Sequence, residues 1–539
     1  MSKEHSCVSG QLGECELQFT TIEAIGETVS SLRASFANGT MRDIAFRKQL
    51  LRDFLRGLRE SKKELLDAVY FDLHKPRAET SYAEYDAVEY ELGQFLDNLD
   101  KWAKPARNTL AMLQPAFLLS KSETRKEPLG TVVIIGPWNY PLRLILLPAV
   151  GALAAGNTVV VKPSEMAPHT ALAIGNLVSK YLDPSVIRVV QGGVKETTAL
   201  LSEKFDHYFY TGSGPVGKIV AHAAAEHLSG ITLELGGKSP TIVHADVADL
   251  VPTALRIMWS KLTNAGQTCV ATDYLLVHRS VKDKLVPLLV DAVAGLYGKS
   301  PQKSPDYGRI INARHWNRLM DALDATEGTV IDVVEDQPDE NDLYFPPTIV
   351  DGVRPDDSLM KDELFGPILP IITYDTLDEA IALVNSRDQP LTMYVFSKRD
   401  TADVVLSRTR SGGATVNDTM FTSASLSTSF GGVGPSGVGS YQGKQSFDTF
   451  SNHRHVLTRP LWFPSAGVDT VRGPPFTGSD NSWKASTLNS MVYPKLWSLS
   501  DSVLGKLLTL IPFWRALAII PCFLWALIRA KPVVRRRDD

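Results

Sequence analysis

Cysteine is scarce in this chain. Cys7, Cys15, Cys269 and Cys522 are the only four in 539 residues, and they lie far apart. None has the paired spacing of metal ligands, which argues against a disulfide framework or a zinc knot and for a reducing compartment. The eleven histidines form no His-Glu-x-x-His pattern, so no metal site is expected. The body of the chain lacks any long run of lysine or arginine and net charge is −4, which argues against nucleic acid as a partner. From Met1-Ser2-Lys3-Glu4-His5 onward there is no apolar stretch of the secretory kind, and the early acidic residues argue against a mitochondrial presequence. The body of the protein is therefore expected to face the cytosol.

What is present is ordinary globular composition, 44% apolar and 22% charged, in a chain long enough for two or more cores. Residues 1–29 read as a weakly ordered lead-in. From about 30 to 104, Ile44, Leu51, Leu55, Leu58, Leu65, Leu66 and Val69 recur at helical spacing among charged residues, which predicts packed amphipathic helices. Past residue 128 the pattern changes to short β-branched runs: 131–135, 158–161, 187–190, 207–210 and 231–235, each separated by room for one crossover helix. That is the rhythm of a parallel α/β sheet, whose ligands bind beyond the carboxyl ends of the strands. The rhythm resumes after 240 with runs at 274–278, 347–350, 371–374 and 391–396, which predicts a second α/β domain. The boundaries fall at 30–234, with a bridging segment near 105–128, and at 235–438; a further segment covers 439–457. Residues 458–503 read as a linker rich in Pro, Ser and Gly, 504–530 as an apolar tail and 531–539 as a basic end.

Chemistry concentrates at the strand ends. Cys269 stands among small and polar neighbours in Gly266-Gln267-Thr268-Cys269-Val270. Backbone N–H groups or a cation beside such a thiol favour the thiolate, although a lone cysteine is more often a core residue. Gly212, Ser213, Gly214, Pro215, Val216 and Gly217 follow a strand and open a helix, the context of a dinucleotide-binding loop. Glu234, about twenty residues on, suits a ribose ligand or equally a general base. Asn139 in Pro137-Trp138-Asn139-Tyr140-Pro141 suits an oxyanion donor or a helix cap. Lys162 and Glu165 end the next strand, as a ribose clasp or as solvated charges.

Together these segments resemble the aldehyde dehydrogenase superfamily. The resemblance rests on Pro-Trp-Asn-Tyr-Pro, Lys162-Pro163-Ser164-Glu165, the Gly212 loop, Leu233-Glu234-Leu235-Gly236-Gly237-Lys238, Gly266-Gln267-Thr268-Cys269, Glu363-Leu364-Phe365-Gly366-Pro367 and Phe430-Gly431-Gly432, in that order. It runs from about residue 30 to 457. Val416-Asn417-Asp418 and the run from Gly439 to Phe447 are similar to the class 3 branch, which includes fatty aldehyde dehydrogenases; fungal apocarotenal dehydrogenases also resemble it. The fold implied is a Rossmann-type cofactor domain (30–234), an α/β catalytic domain (235–438), an oligomerisation segment (439–457) supporting a homodimer, and a C-terminal hydrophobic anchor. The resemblance makes Cys269 the nucleophile, Asn139 an oxyanion donor and Glu234 the base that activates water. Lys162 and Glu165 would hold the adenosine ribose, Glu363 the nicotinamide ribose, and Phe365 would pack near the nicotinamide. The expected cofactor is NAD, with NADP an alternative. Thr272 stands where the class 3 pattern usually has proline, and Pro215 lies inside the glycine loop.

Leu507 to Ile528 is almost wholly apolar, followed by Arg535-Arg536-Arg537. As a helix it would extend roughly 33 Å, enough to cross a bilayer core. Burying Arg515 costs about 2.5 to 3.5 kcal/mol, and the Leu, Ile and Phe residues offset it by roughly 4 to 7 kcal/mol. A membrane anchor is expected, spanning or as a hairpin at Pro512 and Pro521, with the endoplasmic reticulum the first compartment. A long apolar aldehyde is the expected substrate, fatty first and polyene as the alternative. The reading of another class is a catalytically idle scaffold.

Overall fold

The computed structural model describes residues 17–108, 120–459, 472 and 482–492. The apolar run 507–528 and the basic end lie outside the described residues, and among those described no helix is long and apolar enough to cross a membrane. The chain forms two compact units, one drawn from 1–102 and 128–451 and the other from 103–127 and 452–539.

In chain order the strands are β1 (Ala106–Arg107), β2 (Lys121–Pro128), β3 (Thr131–Ile135), β4 (Thr158–Lys162), β5 (Ile187–Val189), β6 (His207–Thr211), β7 (Gly230–Glu234) and β8 (Pro240–Val243). They continue with β9 (Tyr274–His278), β10 (Thr329–Ile331), β11 (Thr348–Asp351), β12 (Ile368–Tyr374), β13 (Thr392–Phe396), β14 (Gly413–Val416), β15 (Gly437–Val438) and β16 (Ser451–Thr458).

The larger unit holds two sheets. One has the order β15-β7-β6-β3-β4-β5, parallel except for β15, and the other β10-β11-β12-β9-β8-β13-β14, parallel except for β10. Val132 to Ile134 and Val159 to Val161 are fully buried, as continuous β-branched runs require when helices cover both faces of a parallel sheet. The helix Arg143–Ala155, which follows β3, is buried over all but its first residue. Asn139 follows β3, Lys162 ends β4, Gly212 follows β6 and Glu234 ends β7, so four separate motifs reach one edge of one sheet. That edge is the carboxyl edge, where ligands of such sheets sit.

The N-terminal helices differ from expectation at their start. A helix spans Ile22–Ala37, beginning within the last residues of the stretch read as weakly ordered: Thr21 Oγ1 accepts from Ala24 N at 3.3 Å, and Ile25, Val29 and Leu32 are buried. Glycine and serine on its outer face dilute the apolar pattern, which hides the helix. In the smaller unit β1, β2 and β16 form a three-stranded sheet, with Ser122 Oγ 2.9 Å from His455 Nε2.

Candidate active site

The loop carrying Cys269 is built from conformations that side chains avoid. After the helix Leu250–Leu262, Asn264 (φ 54°), Ala265 (φ 51°) and Gly266 (φ 76°) turn left-handed in succession. Such conformations cost roughly 1–2 kcal/mol per non-glycine residue and persist only where the surroundings impose them. Here Gln267 imposes them. Its Nε2 donates to the carbonyls of Asn264 at 3.0 Å and Arg309 at 2.9 Å, and its Oε1 accepts from Ile311 N at 2.9 Å. A Cβ on residue 266 would collide with the Gly366 carbonyl. The Gly-Gln pair is thus required by backbone geometry before any chemistry is considered.

Asn139 is fastened to this loop. Its Nδ2 donates to the Gln267 carbonyl at 3.0 Å, which uses one of its two N–H groups. Its own carbonyl accepts from Asn264 Nδ2 and from Lys75 Nζ, both at 2.9 Å. Asn139 caps no helix. The carboxylate of Glu84 takes that task for the helix after β3, accepting from Leu142 N at 3.0 Å and Arg143 N at 3.3 Å, while its other oxygen lies 2.7 Å from Lys75 Nζ. Lys75 and Glu84 are both fully buried, and Lys75 Nζ also lies 3.9 Å from the centre of the Tyr140 ring. Tyr140 in turn bonds Thr268 at 2.9 Å, one residue before the cysteine.

The electrostatics correct one expectation. Cys269 is partly buried and free, but its thiol is pushed up to about 12 by desolvation and by the charges of Glu363 and Glu234. Its own N–H and the Arg143 cation pull the other way and lose. In the free protein burial and the two neighbouring carboxyl groups thus favour the thiol over the thiolate. Glu234 is buried, neither of its carboxyl oxygens has a hydrogen-bond partner, and burial alone raises it well above the usual carboxylate range. A carboxyl in this condition is set up for proton transfer.

Cys269 opens into a cavity of about 500 Å³, within the size range of small-molecule sites. Tyr82, Tyr90, Trp259, Phe421, Phe430 and Tyr441 give it an aromatic wall, and Arg143 and Asp86 are its one cation and one anion among the described residues.

None of the residues expected to hold the cofactor lines this cavity. Lys162 Nζ pairs with Glu165 Oε2 at 2.7 Å at the end of β4. The helix Gly214–Glu226 starts at Ser213, whose side chain caps nothing, so its first N–H groups stay available to an anion. Pro215 falls in that first turn, where the missing N–H costs no helical bond. Val216 is exposed on the same turn, and a Cβ on Gly217 would press into Leu235 at 2.8 Å, so the helix packs tightly on the strand beneath. Phe365 holds a left-handed φ of 51° with its ring edge-on to Trp138 at 5.4 Å. Glu363 is raised to about 8 by burial and by Asp273, against the Gly237 N–H, Lys238 and Lys261. Open N–H groups, a Lys–Glu pair and a half-buried carboxyl fit a dinucleotide.

The model of the aldehyde dehydrogenase family matches residues 14–456. The chain belongs to the aldehyde dehydrogenase family. It is 41% identical over 455 residues to 4,4'-diaponeurosporen-aldehyde dehydrogenase of Staphylococcus aureus, covering 84% of this chain and 97% of that protein. To aldehyde dehydrogenase family 3 member A2 of Rattus norvegicus it is 43% identical, over 84% and 92% of the two chains. The solved substrate-bound state of Staphylococcus aureus AldH superposes with a TM-score of 0.82 at 39% identity, over 86% and 99%. Mycobacterium tuberculosis aldehyde dehydrogenase complexed with NAD+ gives 0.73 at 26% identity, over 83% and 92%.

Several residues of this aldehyde dehydrogenase site carry no motif. Tyr82 and Tyr90 come from the stretch 30–104 expected only as packed amphipathic helices, and Trp259, Lys75 and Glu84 were assigned no role in the sequence reading. Tyr441 and Gln442, within the segment assigned to oligomerisation, line the cavity. The His315 ring lies tilted at 53° to Trp138 with centres 5.1 Å apart, and burial, with the Arg318 and Arg314 cations, lowers it to about 4. The one signal available in sequence was the spacing Tyr82, Asp86, Tyr90, which puts three side chains on one helical face.

Proposed function

We propose that this aldehyde dehydrogenase oxidises a long-chain apolar aldehyde to its carboxylic acid, with NAD as the preferred cofactor. The observation that carries the substrate class is the aromatic cavity ending at Cys269. Each methylene buried there contributes about 0.8 kcal/mol, so affinity grows with chain length. The Cys269 sulfur adds to the aldehyde carbon while the thiol proton leaves to solvent. The second N–H of Asn139 and the Cys269 N–H hold the oxyanion. A bound nicotinamide dinucleotide supplies the hydride acceptor and a positive charge. Glu234, ionised, then takes a proton from the water that releases the acid from the Cys269 thioester. Lys162 and Glu165 hold the adenosine ribose, the N-terminus at Gly212 to Gly217 the phosphates, and Glu363 and Phe365 the nicotinamide end. The Glu165 carboxylate disfavours a 2′-phosphate, which supports NAD over NADP.

Fatty aldehydes are the first reading. A polyene aldehyde is the second, supported by the likeness to a relative named for 4,4'-diaponeurosporen-aldehyde. The apolar run 507–528 supports attachment to a membrane, with the endoplasmic reticulum the proposed site, and class 3 likeness supports a homodimer. The test is NADH formation with hexadecanal and with a C35 apocarotenal, comparing the protein with Cys269→Ala. Cys269-dependent turnover of hexadecanal alone supports the first reading and of the polyene alone the second; turnover of neither refutes the long-chain assignment.

A further inference from the structure

Arg143 breaks a local rule. It is the first residue of the helix Arg143–Ala155, where the helix end is already positive, and it puts a guanidinium on the wall of a mostly aromatic cavity. Residues that break such rules are expected where function requires them. The guanidinium spans the cavity wall. Nη1 donates to the Ala83 carbonyl at 3.2 Å, in the turn Ser81–Tyr85, and Nη2 donates to the Ser423 carbonyl, in the short helix Phe421–Ala424. Each of these two segments contributes aromatic lining, Tyr82 from the first and Phe421 from the second. Gln442 Nε2 donates to the same Ser423 carbonyl at 3.2 Å, so the second wall is held from two sides. The Ser423 hydroxyl donates to the Met420 carbonyl at 2.7 Å, a bond within its own segment that does not reach the opposite wall. Glu84 fastens the first segment to the helix start through Leu142 N, and Trp259 meets both the Tyr82 hydroxyl and the Phe421 ring. The Arg143 fork is the direct hydrogen-bond bridge between the Ala83 and Ser423 carbonyls, which a planar fork with several fixed N–H groups can make where a single ammonium cannot.

We propose that Arg143 is a specificity-determining strut, which sets the width of the aldehyde channel and so selects unbranched chains over methyl-branched ones. This deepens the substrate reading above and rests on it for its biological meaning. The strut holds the Ala83 and Ser423 walls at a fixed distance. A straight chain passes in single file, and a chain with side methyl groups meets Tyr82 and Phe421.

The test needs neither cofactor nor turnover. Cys269 in the full chain is alkylated with N-hexadecyl chloroacetamide and with its tetramethyl-branched counterpart, and adducts are counted on the Cys269 peptide by mass spectrometry. The protein should favour the straight reagent by about tenfold, the discrimination that methyl-sized contacts give in apolar pockets. Arg143→Ala and Arg143→Lys should both lose most of that preference, since lysine keeps the charge but not the fork. Gln442→Leu, which removes the second donor to Ser423, should lose part of it. Unchanged selectivity in all three variants overturns the proposal, and so does full recovery by lysine, which would assign the effect to charge. If Arg143→Ala fails to fold, shown by loss of the far-ultraviolet circular dichroism of the folded protein, the lysine and Gln442 variants decide alone. Selectivity in a protein that oxidises no long aldehyde keeps the strut and refutes the substrate reading.

Discussion

The side-chain amide of Asn139 donates to the main-chain oxygen of Gln267 at 3.0 Å, so the proposed oxyanion donor and the nucleophile loop are one hydrogen-bonded piece. The strand end after β3 and the strained turn before Cys269 are 128 residues apart in sequence, yet neither can shift without the other. Preorganisation of this kind spares the site from rearranging as charge develops on the substrate oxygen.

Asn139→Ala should therefore lower kcat by about 10²- to 10³-fold, the usual loss for one oxyanion donor. Alkylation of Cys269 by iodoacetamide should persist, since the thiol itself is untouched. A variant with undiminished kcat would remove Asn139 from the chemistry.

Lys75→Met should destabilise the protein by about 3–5 kcal/mol, because it leaves the buried Glu84 carboxylate without its cation. Adding Glu84→Gln should recover part of that loss, since the remaining carboxamide oxygen still accepts at the helix start. Urea unfolding of the single and double variants measures both; equal midpoints for all would show the pair to be energetically idle.

Without cofactor, Cys269 should react as a thiol whose alkylation rate climbs about tenfold per pH unit from pH 7 to 9, because its ionisation, pushed up to about 12 by desolvation and two carboxylates, lies above that window. Glu363, raised to about 8, gains its opposing charge within that window, so Glu363→Gln should speed alkylation most at the alkaline end. A rate that levels off near neutrality would mean that the thiolate is already formed.

Glu91 is buried, accepts from Gly443 N at 2.8 Å and is raised from 4.5 to about 7, mainly by desolvation. The folded state therefore keeps a proton that the unfolded chain releases, so the contribution of Glu91 to stability is fully present below about pH 4.5 and is lost as pH rises through about 7. Glu91→Gln should flatten the slope of unfolding free energy between pH 5 and 7.5 by about 1–3 kcal/mol over the window. An unchanged slope would show that Glu91 ionises normally in place.

The parallel sheet was legible because Val132 to Ile135 and Thr158 to Val161 are continuous β-branched runs, a pattern that only a doubly covered sheet tolerates. Residues at strand ends followed from that sheet, which is why Asn139, Lys162, Gly212 and Glu234 could be named in advance. The cavity wall was not legible. Tyr82, Trp259 and Phe421 come from three segments whose meeting depends on how helices pack, and each alone reads as an ordinary helical or loop residue. Lys75 and Glu84 were hidden for a related reason: a lysine and a glutamate nine residues apart look like surface charge until burial pairs them. The rise of the Cys269 thiol was not legible because sequence shows its small neighbours but not its burial or the carboxyls of Glu234 and Glu363, which come from elsewhere in the chain.

The most direct measurement is the mass of the Cys269 peptide after Glu234→Gln protein is mixed with hexadecanal and NAD and quenched in acid. Glu234 acts only after hydride transfer, so the account predicts a burst of NADH matched by a hexadecanoyl thioester that accumulates on Cys269. Steady turnover by this variant with no adduct on Cys269 would contradict it.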